Sequence, residues 1–381
     1  MPKIIQTLHG ELKTPIFLPD ATYGSIKTLS FEDVANTETR AIVTTTLHLE
    51  QKMGSKYIKE YGGLHKFFNW DKPILTDSGG YQVFSLIYRF KNKDNKISDA
   101  GCTFVDYKTG KHFFLSPEIS QIIQYNLGSD IVTVLDVPLK NDATTNETMK
   151  AIKMNGSWAK RSKLKFLELH NLTENDFNNP KIKRPLIGAV VQGGNNIELR
   201  KQSAEELIEI GFDIYNYGGL PIHKEEYWHE GAPKGFNREM LEYVSNLIPN
   251  DKLKYAMGVG TPDDILFCIE KGWDLFDTVL PTRNARHGYL YVSKGQGNPP
   301  SQSSGGQALK YENYDVLNIK NKMFEFDEGP IDKTLSFDFI PQVSRAYLRF
   351  LIKSGEPAGH RIASLWNLAF FQHVISNRRN K

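Results

Sequence analysis

The chain has 381 residues, 40% of them apolar, which suits one large α/β domain with an appendage, or two domains. Its 47 Lys and Arg against 44 Asp and Glu leave a net charge of +3, which argues against a protein that coats nucleic acid. Cys102 and Cys268 are too few and too far apart for a disulfide framework or a cysteine zinc motif. The sequence has neither a signal peptide nor an apolar run long enough to cross a bilayer, so we expect a cytoplasmic protein with no membrane partner.

Eight short apolar, β-rich runs recur along the chain, each ending in polar residues or glycine and most followed by a helical pattern. They cover residues 15–19, 41–47, 73–78, 130–137, 186–191, 212–217, 254–258 and 274–280. Strands that alternate with helices predict a parallel sheet. Eight such units predict an α/β fold of the (β/α)8 TIM type. An open doubly wound sheet is the alternative, but no G-x-G-x-x-G follows the first strand.

Capping signals mark three helix starts between these runs. S-P-E at 116–118 and T-P-D-D at 261–264 each supply an N-cap, a first-turn proline and a first-turn acid. S-A-E-E at 203–206 is a capping box, which predicts that a helix begins there.

The last quarter of the chain has a different composition. Residues 295–306, G-Q-G-N-P-P-S-Q-S-S-G-G, predict a flexible loop. Amphipathic patterns at 344–353 and 362–376 predict two helices after it. We therefore predict a barrel over residues 1–309 and a mostly helical appendage over 310–381 that packs on it.

Singular polar residues fall at six of the predicted strand ends. In a (β/α)8 barrel the site lies at the carboxyl ends of the strands. The convergence of these residues on one mouth is therefore stronger evidence for a site than any single motif. They are Asp77, Asp136, Gln192, Gly218, Gly219, Met257, Gly258 and Asp277.

Residues 276–288, F-D-T-V-L-P-T-R-N-A-R-H-G, join one carboxylate to two arginines. Arg283 and Arg286 suit the phosphates of a polyanionic substrate, while Asp277 reacts with the sugar between them. The alternative is a strand end followed by a solvated basic loop. Because nearby positive charge lowers the pKa of a carboxyl, Asp277 is the better candidate for an ionised nucleophile. A second acid would complete a pair like that of retaining glycosidases.

Residues 76–82, T-D-S-G-G-Y-Q, supply a second acid. Asp77 ends a buried strand, the glycine pair lets the backbone approach a ligand, and Tyr81 suits stacking on a flat ring. The alternative is an Asx turn closed by Asp77, although such a turn requires neither two glycines nor an aromatic residue.

Other strand ends offer hydrogen-bonding groups for a base. The Asp136 carboxylate suits two N–H donors of a guanine-like edge, although a cap or turn role is equally open. Gln192 and the backbone of Gly218 and Gly219 would add an amide and N–H groups. Met257 would cover the other face of a ring, although methionine is more often plain core.

These residues resemble those of the tRNA-guanine transglycosylase (queuine tRNA-ribosyltransferase) family, and the likeness covers most of the chain. Shared strings lie at 62–86, 116–118, 127–131, 191–194, 258–264, 276–286 and 344–348, the longest being G-G-L-H-K-F-F-N-W-D-K-P-I-L-T-D-S-G-G-Y-Q-V-F-S-L. The resemblance implies a (β/α)8 barrel that exchanges a guanine of a tRNA anticodon for a 7-deazaguanine. It implies no cofactor, because one glycosidic bond is traded for another, and a homodimer or a related heterodimer.

By this resemblance, Asp277 attacks ribose C1′ to form a covalent intermediate, and Asp77 assists the departure of guanine and the entry of the new base. The base would lie against Ser78, Gly79, Gly80, Tyr81, Asp136, Gln192, Gly219, Leu220 and Met257. The RNA would contact Gly258, Val259, Gly260, Thr261, Pro262, Asp263, Asp264, Thr282, Arg283, Asn284, Ala285 and Arg286.

The chain departs from the family pattern at the positions that bind zinc in other members. A C-x-C-x-x-C cluster and a later His are replaced by Leu335, Phe337, Ile340 and Trp366. Zinc requires Cys, His or carboxylate ligands, so we predict no structural zinc and an apolar cluster in its place.

Other departures leave the incoming base open. Lys224 stands where bacterial members have a Glu that reads an aminomethyl group, Val137-Pro138 replaces Glu-Cys, and Thr45 replaces Asn. A lysine would repel an aminomethyl cation, so we predict poor use of 7-aminomethyl-7-deazaguanine, unless Glu225 substitutes for the missing acid. Base exchange on DNA and a noncatalytic RNA-binding partner subunit are the alternative functions. The presence of both candidate catalytic acids argues against the second.

Overall fold

The computed structural model describes residues 2–89, 94–106, 109–139, 143–219, 237–297 and 312–379, in which short strands alternate with helices. The strands are β1 (Ile4–Thr7), β2 (Gly10–Lys13), β3 (Ile16–Pro19), β4 (Ile42–Thr44), β5 (Ile74–Thr76), β6 (Lys96–Ser98), β7 (Gly101–Val105), β8 (His112–Leu115), β9 (Ile131–Thr133), β10 (Leu186–Val191), β11 (Ile214–Tyr217), β12 (Leu253–Ala256), β13 (Leu275–Thr278), β14 (Tyr289–Ser293) and β15 (Tyr314–Asn318). The helices are α1 (Phe31–Asn36), α2 (Thr46–Lys52), α3 (Ser55–Tyr61), α4 (Gly63–Phe68), α5 (Gly80–Arg89), α6 (Pro117–Leu127), α7 (Thr145–Leu169), α8 (Glu174–Phe177), α9 (Ile197–Ile210), α10 (Arg238–Leu247), α11 (Pro262–Glu270), α12 (Leu280–Arg286), α13 (Arg345–Lys353) and α14 (Pro357–Arg379), with a 3-10 turn at Lys322–Phe324.

Eight parallel strands form the central sheet, in the order β3-β13-β12-β11-β10-β9-β5-β4. A parallel bridge between Asp20 and Val43 joins the two ends of this order, and the Ala21 N–H donates to the Val43 carbonyl at 2.7 Å. Each of the eight predicted runs overlaps one of these strands, and helices lie between them. The predicted (β/α)8 barrel is therefore confirmed.

The barrel interior is filled by apolar side chains from alternate strand positions. Leu18, Val43, Leu75 and Leu275 belong to one buried cluster, which also contains Ile5 and Leu12 of the antiparallel β1–β2 hairpin. The hairpin packs on the end of the barrel from which the strands start. The opposite end, where the strands finish, is therefore the end available to a ligand.

The two helix starts marked by a proline are confirmed, because Ser116 caps α6 and Thr261 caps α11. The predicted start at Ser203 is wrong. Helix α9 begins two turns earlier, where the Asn196 side chain accepts from the Leu199 N–H. Ser203 lies on the buried face of that helix, and its hydroxyl accepts from the Gln192 N–H at 3.2 Å. The serine therefore supports a strand end instead of capping a helix.

The two predicted C-terminal helices are present as α13 and α14. Helix α14 packs on α12 and β14, where the Trp366 indole donates to the Tyr291 carbonyl at 2.8 Å. The Asn367 amide donates to the Pro281 and Tyr289 carbonyls, each at 2.9 Å. These bonds fix the segment that follows β13. The predicted boundary at 309/310 and residues 298–306 of the predicted loop lie outside the described residues, so the domain division stays a prediction.

Among the residues described here, no helix is both long enough and apolar enough to cross a membrane.

Candidate active site

Three acids converge on the open mouth of the barrel. Asp77 follows β5, Asp136 lies beyond β9, and Asp277 is the third residue of β13. Each is largely buried but keeps some access to the mouth. The charge of Asp77 acts on both Asp136 and the Tyr255 hydroxyl, which itself donates to Asp277. The structure therefore brings together the acids that the strand ends predict.

Neutral donors hold the Asp77 carboxylate. Its Oδ1 accepts from the N–H groups of Thr46 and Gly79, both at 3.0 Å, and its Oδ2 accepts from the Gln82 amide at 2.8 Å. The bond to Gly79 is the Asx turn of the alternative interpretation, so the turn exists within the site. Burial outweighs these donors and raises the pKa of Asp77 to about 6. Such a group exchanges protons near neutral pH, as an acid/base catalyst must.

Asp136 and Gln192 form a polar edge beside Asp77, because β5, β9 and β10 are neighbours in the barrel. The Gln192 amide nitrogen donates to Asp136 Oδ2 at 2.7 Å. Burial, together with the charge of Asp77, raises the pKa of Asp136 to about 6. Within the described structure, Gln192 Oε1 is buried and has no hydrogen-bond partner. A buried acceptor without a donor is costly, so this pocket suits a ligand that offers N–H groups.

The glycines beside this edge are required by the close approach of their neighbours. A Cβ on Gly80 would lie 3.0 Å from both the carbonyl oxygen and Oδ1 of Asp136. A Cβ on Gly218 would lie 2.6 Å from the Gln192 amide nitrogen. Of the predicted base contacts, Gly80 and Gly219 therefore lie beside this edge, whereas Gly79 packs on Thr46 and Leu115. Leu220 lies outside the described residues.

Arg200 supports the edge from behind and was not predicted. Its buried guanidinium donates to the carbonyls of Val191 (2.5 Å), Gly194 (2.8 Å) and Gly218 (2.8 Å). These bonds join the ends of β10 and β11 on either side of Gln192. Sequence offers only a weak signal for this role, namely an arginine on the apolar face of α9.

Asp277 lies on the other side of the mouth. Its Oδ1 accepts from the Tyr255 hydroxyl at 2.7 Å and from the Gly258 N–H at 2.9 Å. Burial raises the pKa of Asp277 to about 6, and the charge of Asp20 adds to the effect. The expectation that arginines lower this pKa is therefore wrong, because burial dominates and the stabilising donors are neutral.

Residues 280–286 form helix α12 and not the basic loop of the alternative interpretation. Arg283 and Arg286 are partly exposed on it, and Arg286 Nη1 is a buried nitrogen with no hydrogen-bond partner in the described structure. The other predicted RNA contacts of this helix, Thr282, Asn284 and Ala285, are buried against the core. The arginines are therefore the side chains of α12 best placed for an external anion.

Of the predicted RNA contacts at 258–264, some lie at the mouth of the barrel and others are buried or form the start of α11. Gly258 is exposed beside Asp277, whereas Val259 is buried, Gly260 packs on Leu280, and Thr261 and Pro262 begin α11. Asp263 accepts from the Glu312 and Asn313 N–H groups, and Asp264 accepts from Thr261 and Arg238. Both acids therefore have partners within the chain.

The residues predicted to cover the faces of a base differ in exposure. Tyr81 is 60% exposed at the start of α5, whereas Met257 is half-buried against the barrel cluster. Ser78 is buried, and its hydroxyl accepts from the Gly80 N–H at 3.2 Å. An exposed aromatic ring beside Asp77 suits stacking on a flat ligand.

Four further residues of the mouth were not predicted. Thr46 and Gln82 hold Asp77, and Tyr255 holds Asp277. Asp20 follows β3 in the same way that Asp77 follows β5. The strand-end rule applied to the first strand would have found Asp20, and Gln82 lies within the motif already quoted. The role of Tyr255 depends on a contact between strands.

The residues at the family's zinc positions pack together. Ile340 and Trp366 are buried in one apolar cluster with Phe337 at its edge, and the Phe337 and Trp366 rings meet edge to face at 5.3 Å. Leu335, Ile340 and Trp366 line one small cavity. The apolar side chains fit the predicted cluster, and the absence of zinc stays a prediction.

Comparison with known proteins identifies the family of the chain. The family model described as queuine tRNA-ribosyltransferase matches residues 3–381. A queuine tRNA-ribosyltransferase of Actinobacillus pleuropneumoniae serotype 3 (strain JL03) is 39% identical over 368 residues, which cover 97% of this chain and 85% of the relative. One of Acinetobacter baumannii (strain SDF) is 38% identical over 372 residues, 98% of this chain and 87% of the relative. The resemblance inferred from the motifs is thus confirmed, and the chain belongs to the queuine tRNA-ribosyltransferase family of pentosyltransferases.

Proposed function

We propose that the protein exchanges a guanine in a tRNA anticodon for a 7-deazaguanine through a covalent bond between Asp277 and the ribose. The observation that carries this proposal is the polar edge of Asp136 and Gln192 lying between two strand-end acids with different partners. The names of the similar proteins supply the tRNA and the ribosyl transfer.

The first step breaks the bond between ribose and guanine. The Asp277 carboxylate attacks C1′, the glycosidic electron pair leaves with the guanine, and Asp77 donates a proton to the departing base. Tyr255 and Gly258 donate to Asp277 Oδ1, which leaves Oδ2 for the attack. The polar edge holds the departing base in place while this bond breaks.

The second step runs the first in reverse with a new base. Asp77, now ionised, takes a proton from the incoming base, whose nitrogen attacks C1′ and releases the Asp277 carboxylate. One carboxyl that acts as acid and then as base needs a pKa near the working pH, and the pKa of Asp77 is about 6. Bonds broken and formed are equal in number, so the exchange consumes no cofactor.

The Asp136–Gln192 edge would recognise the base. Guanine and 7-deazaguanines present N–H donors on one edge, which match the Asp136 carboxylate and Gln192 Oε1, an acceptor with no partner among the described residues. Arg283 and Arg286 would bind phosphates beside the reacting nucleotide. A cytoplasmic location and a homodimer or related heterodimer belong to the same proposal.

The identity of the incoming base rests on a residue outside the described part of the chain. Lys224 would repel the 7-aminomethyl group, so we expect queuine, or a base with a neutral or acidic 7-substituent, to be used better. This preference is measured by letting the two bases compete to displace labelled guanine that is already in tRNA. Efficient use of the aminomethyl base by wild type would refute it.

The function is tested by incubating the enzyme with bulk tRNA and labelled guanine, followed by candidate 7-deazaguanines. We expect label to enter tRNA, to be displaced by a deazaguanine, and to leave a denaturant-resistant protein–RNA adduct that Asp277→Asn cannot form. Asp277→Asn should still bind RNA. RNA binding without exchange or adduct in wild type would identify a noncatalytic subunit, and exchange on DNA alone would identify the other alternative.

A further inference from the structure

Asp20 is a buried acid at the mouth that the reaction above does not use. Asp20 bridges Val43, and Leu18 pairs with Asp277. Leu18 and Val43 both belong to the cluster inside the barrel. Paired residues of parallel strands face the same side, and residues two apart share a face. Both relations therefore direct the Asp20 side chain into the mouth beside Asp277.

The order of the strands places Asp20 between the two catalytic acids. Around the barrel, β13, β3, β4 and β5 follow one another and carry Asp277, Asp20, Thr45 and Asp77 at their ends. The charge of Asp20 acts on Asp277 and on Tyr255, which agrees with this proximity. Asp20 is thus a neighbour of the atom to which the ribose would be bound.

The Asp20 carboxylate keeps room for another donor. The Thr22 hydroxyl lies 2.6 Å from Oδ1 and 2.8 Å from Oδ2, so one small group approaches both oxygens. Two carboxylate oxygens offer about four acceptor sites, so some remain for a ligand. Asp20 is only partly exposed, so a ligand can reach its carboxylate only through the mouth of the barrel.

A ribonucleotide held at Asp277 offers one suitable donor. Within an RNA chain the 3′ oxygen is esterified, so the 2′-hydroxyl, on the carbon next to C1′, is the remaining free sugar hydroxyl. We infer that Asp20 accepts a hydrogen bond from the 2′-hydroxyl of the reacting nucleotide and so makes the enzyme select RNA over DNA. This inference rests on the proposed function and names its substrate class.

The test uses two RNA stem-loops that differ only in a 2′-deoxy sugar at the reacting nucleotide. For wild type we expect kcat/KM for guanine exchange to be higher on the all-ribose substrate by about 10–100-fold, the size expected for a hydrogen bond to a charged group. In Asp20→Ala this ratio should fall to near one. Asp20→Asn should give an intermediate ratio, because the amide still accepts a hydrogen bond. Asp71→Ala, which removes an exposed acid before β5, should keep the wild-type ratio.

Two results would overturn the inference. One is a wild-type ratio near one, and the other is an Asp20→Ala enzyme that loses activity equally on both substrates, as a structural role predicts. Binding of the same stem-loops to Asp277→Asn, followed by fluorescence anisotropy, gives a readout that needs no exchange. If wild type exchanges nothing but Asp277→Asn prefers ribose, and Asp20→Ala in that background abolishes the preference, the proposed reaction fails and the role of Asp20 stands.

Discussion

Asp130, Asp213 and Asp274 each come directly before a barrel strand, whereas Asp77 and Asp277 lie where strands end. The two sets occupy opposite ends of one barrel and differ in their partners. At the closed end each acid meets a cationic or ionisable side chain together with backbone N–H groups. At the open end the acids meet only N–H groups, hydroxyls and amides among the described residues.

At the closed end, burial outweighs Lys3 and raises the pKa of Asp274, whereas Asp130 shows how completely an acid can be satisfied there. It is fully buried and accepts from the N–H groups of His9 and Ile74, both at 2.9 Å. The imidazoles of His9 and His65 lie 2.9 and 3.0 Å from its two oxygens. Although burial alone would raise the pKa of Asp130, these partners together lower it. Asp213 likewise receives two bonds from the Arg184 guanidinium, at 2.7 and 2.9 Å.

The difference teaches how to separate structural from reactive acids in this barrel. A compensated acid, whose charge is balanced by a cationic partner and N–H donors, stabilises the fold and is a weak proton donor and nucleophile. An uncompensated acid is costly to bury as a carboxylate, and a pKa raised to about 6 is the result at Asp77, Asp136 and Asp277. Four predictions test this contrast.

The largest expected effect separates Asp277 from Asp274, three residues before it on the same strand segment. Asp277→Asn should lower exchange by about 10⁴-fold or more, because the attacking carboxylate is lost. Asp274→Asn removes the ion pair with Lys3 at 2.8 Å and should change exchange by only a few-fold. Steady-state exchange at a temperature where both variants are folded measures the difference. Similar losses in the two variants would end the distinction between the two ends.

The second prediction is that the two ends differ in how an acid affects the free energy of unfolding. Asp130→Asn should lower the free energy of unfolding by about 2–4 kcal/mol, since one oxygen becomes an NH2 group that cannot accept from whichever of the His9 and Ile74 N–H groups it faces. Asp136→Asn should leave the free energy unchanged or raise it, because it removes a buried carboxylate whose side-chain partner among the described residues is one amide. Urea unfolding at pH 7.5 gives both values. Equal destabilisation would show that both acids are structural.

Sequence predicted the positions of the acids better than their chemistry. Apolar runs located all eight strands, and 186–191 matches β10 in full, because a buried parallel strand is a continuous apolar run. Strand ends then located Asp77, Asp136 and Asp277. The pKa of Asp277 was misjudged because burial comes from the whole fold, whereas the sequence shows only the nearby arginines.

The contacts that position the site depend on residues far apart in sequence. Arg200 binds the carbonyl of Gly218, and Asn367 binds that of Pro281. No local pattern encodes such pairs. The helix start at Ser203 failed for a related reason, since the same S-x-x-E pattern occurs inside a helix whose cap, Asn196, comes earlier.

The third prediction follows stability across pH. A carboxyl whose folded pKa is raised binds its proton more tightly when folded, so its contribution is present below pH 3.8 and is lost as pH rises through about 6. Asp130, whose folded pKa is lowered, contributes stability above pH 3.8 that is lost as pH falls through its folded pKa. Asp136→Asn should therefore flatten the fall in unfolding free energy between pH 4 and 7, by up to about 3 kcal/mol. Asp130→Asn should leave that fall in place, and an unchanged slope in Asp136→Asn would contradict the raised pKa.

The smallest effect is the pH dependence of the reaction itself. Asp277 must be ionised to attack and Asp77 protonated to release guanine, and the pKa of each is about 6. We expect a bell-shaped profile of kcat/KM that falls about tenfold per pH unit on both sides, with apparent pKa values that belong to the coupled pair. Asp77→Asn should retain the acid limb in its residual activity and lose the alkaline limb, because Asp277 is then the only one of the two reacting acids that titrates. Asp130→Asn should keep both limbs, since its carboxyl lies at the other end of the barrel. A profile that is flat from pH 5 to 8 in wild type would show that neither mouth acid changes its charge during the reaction.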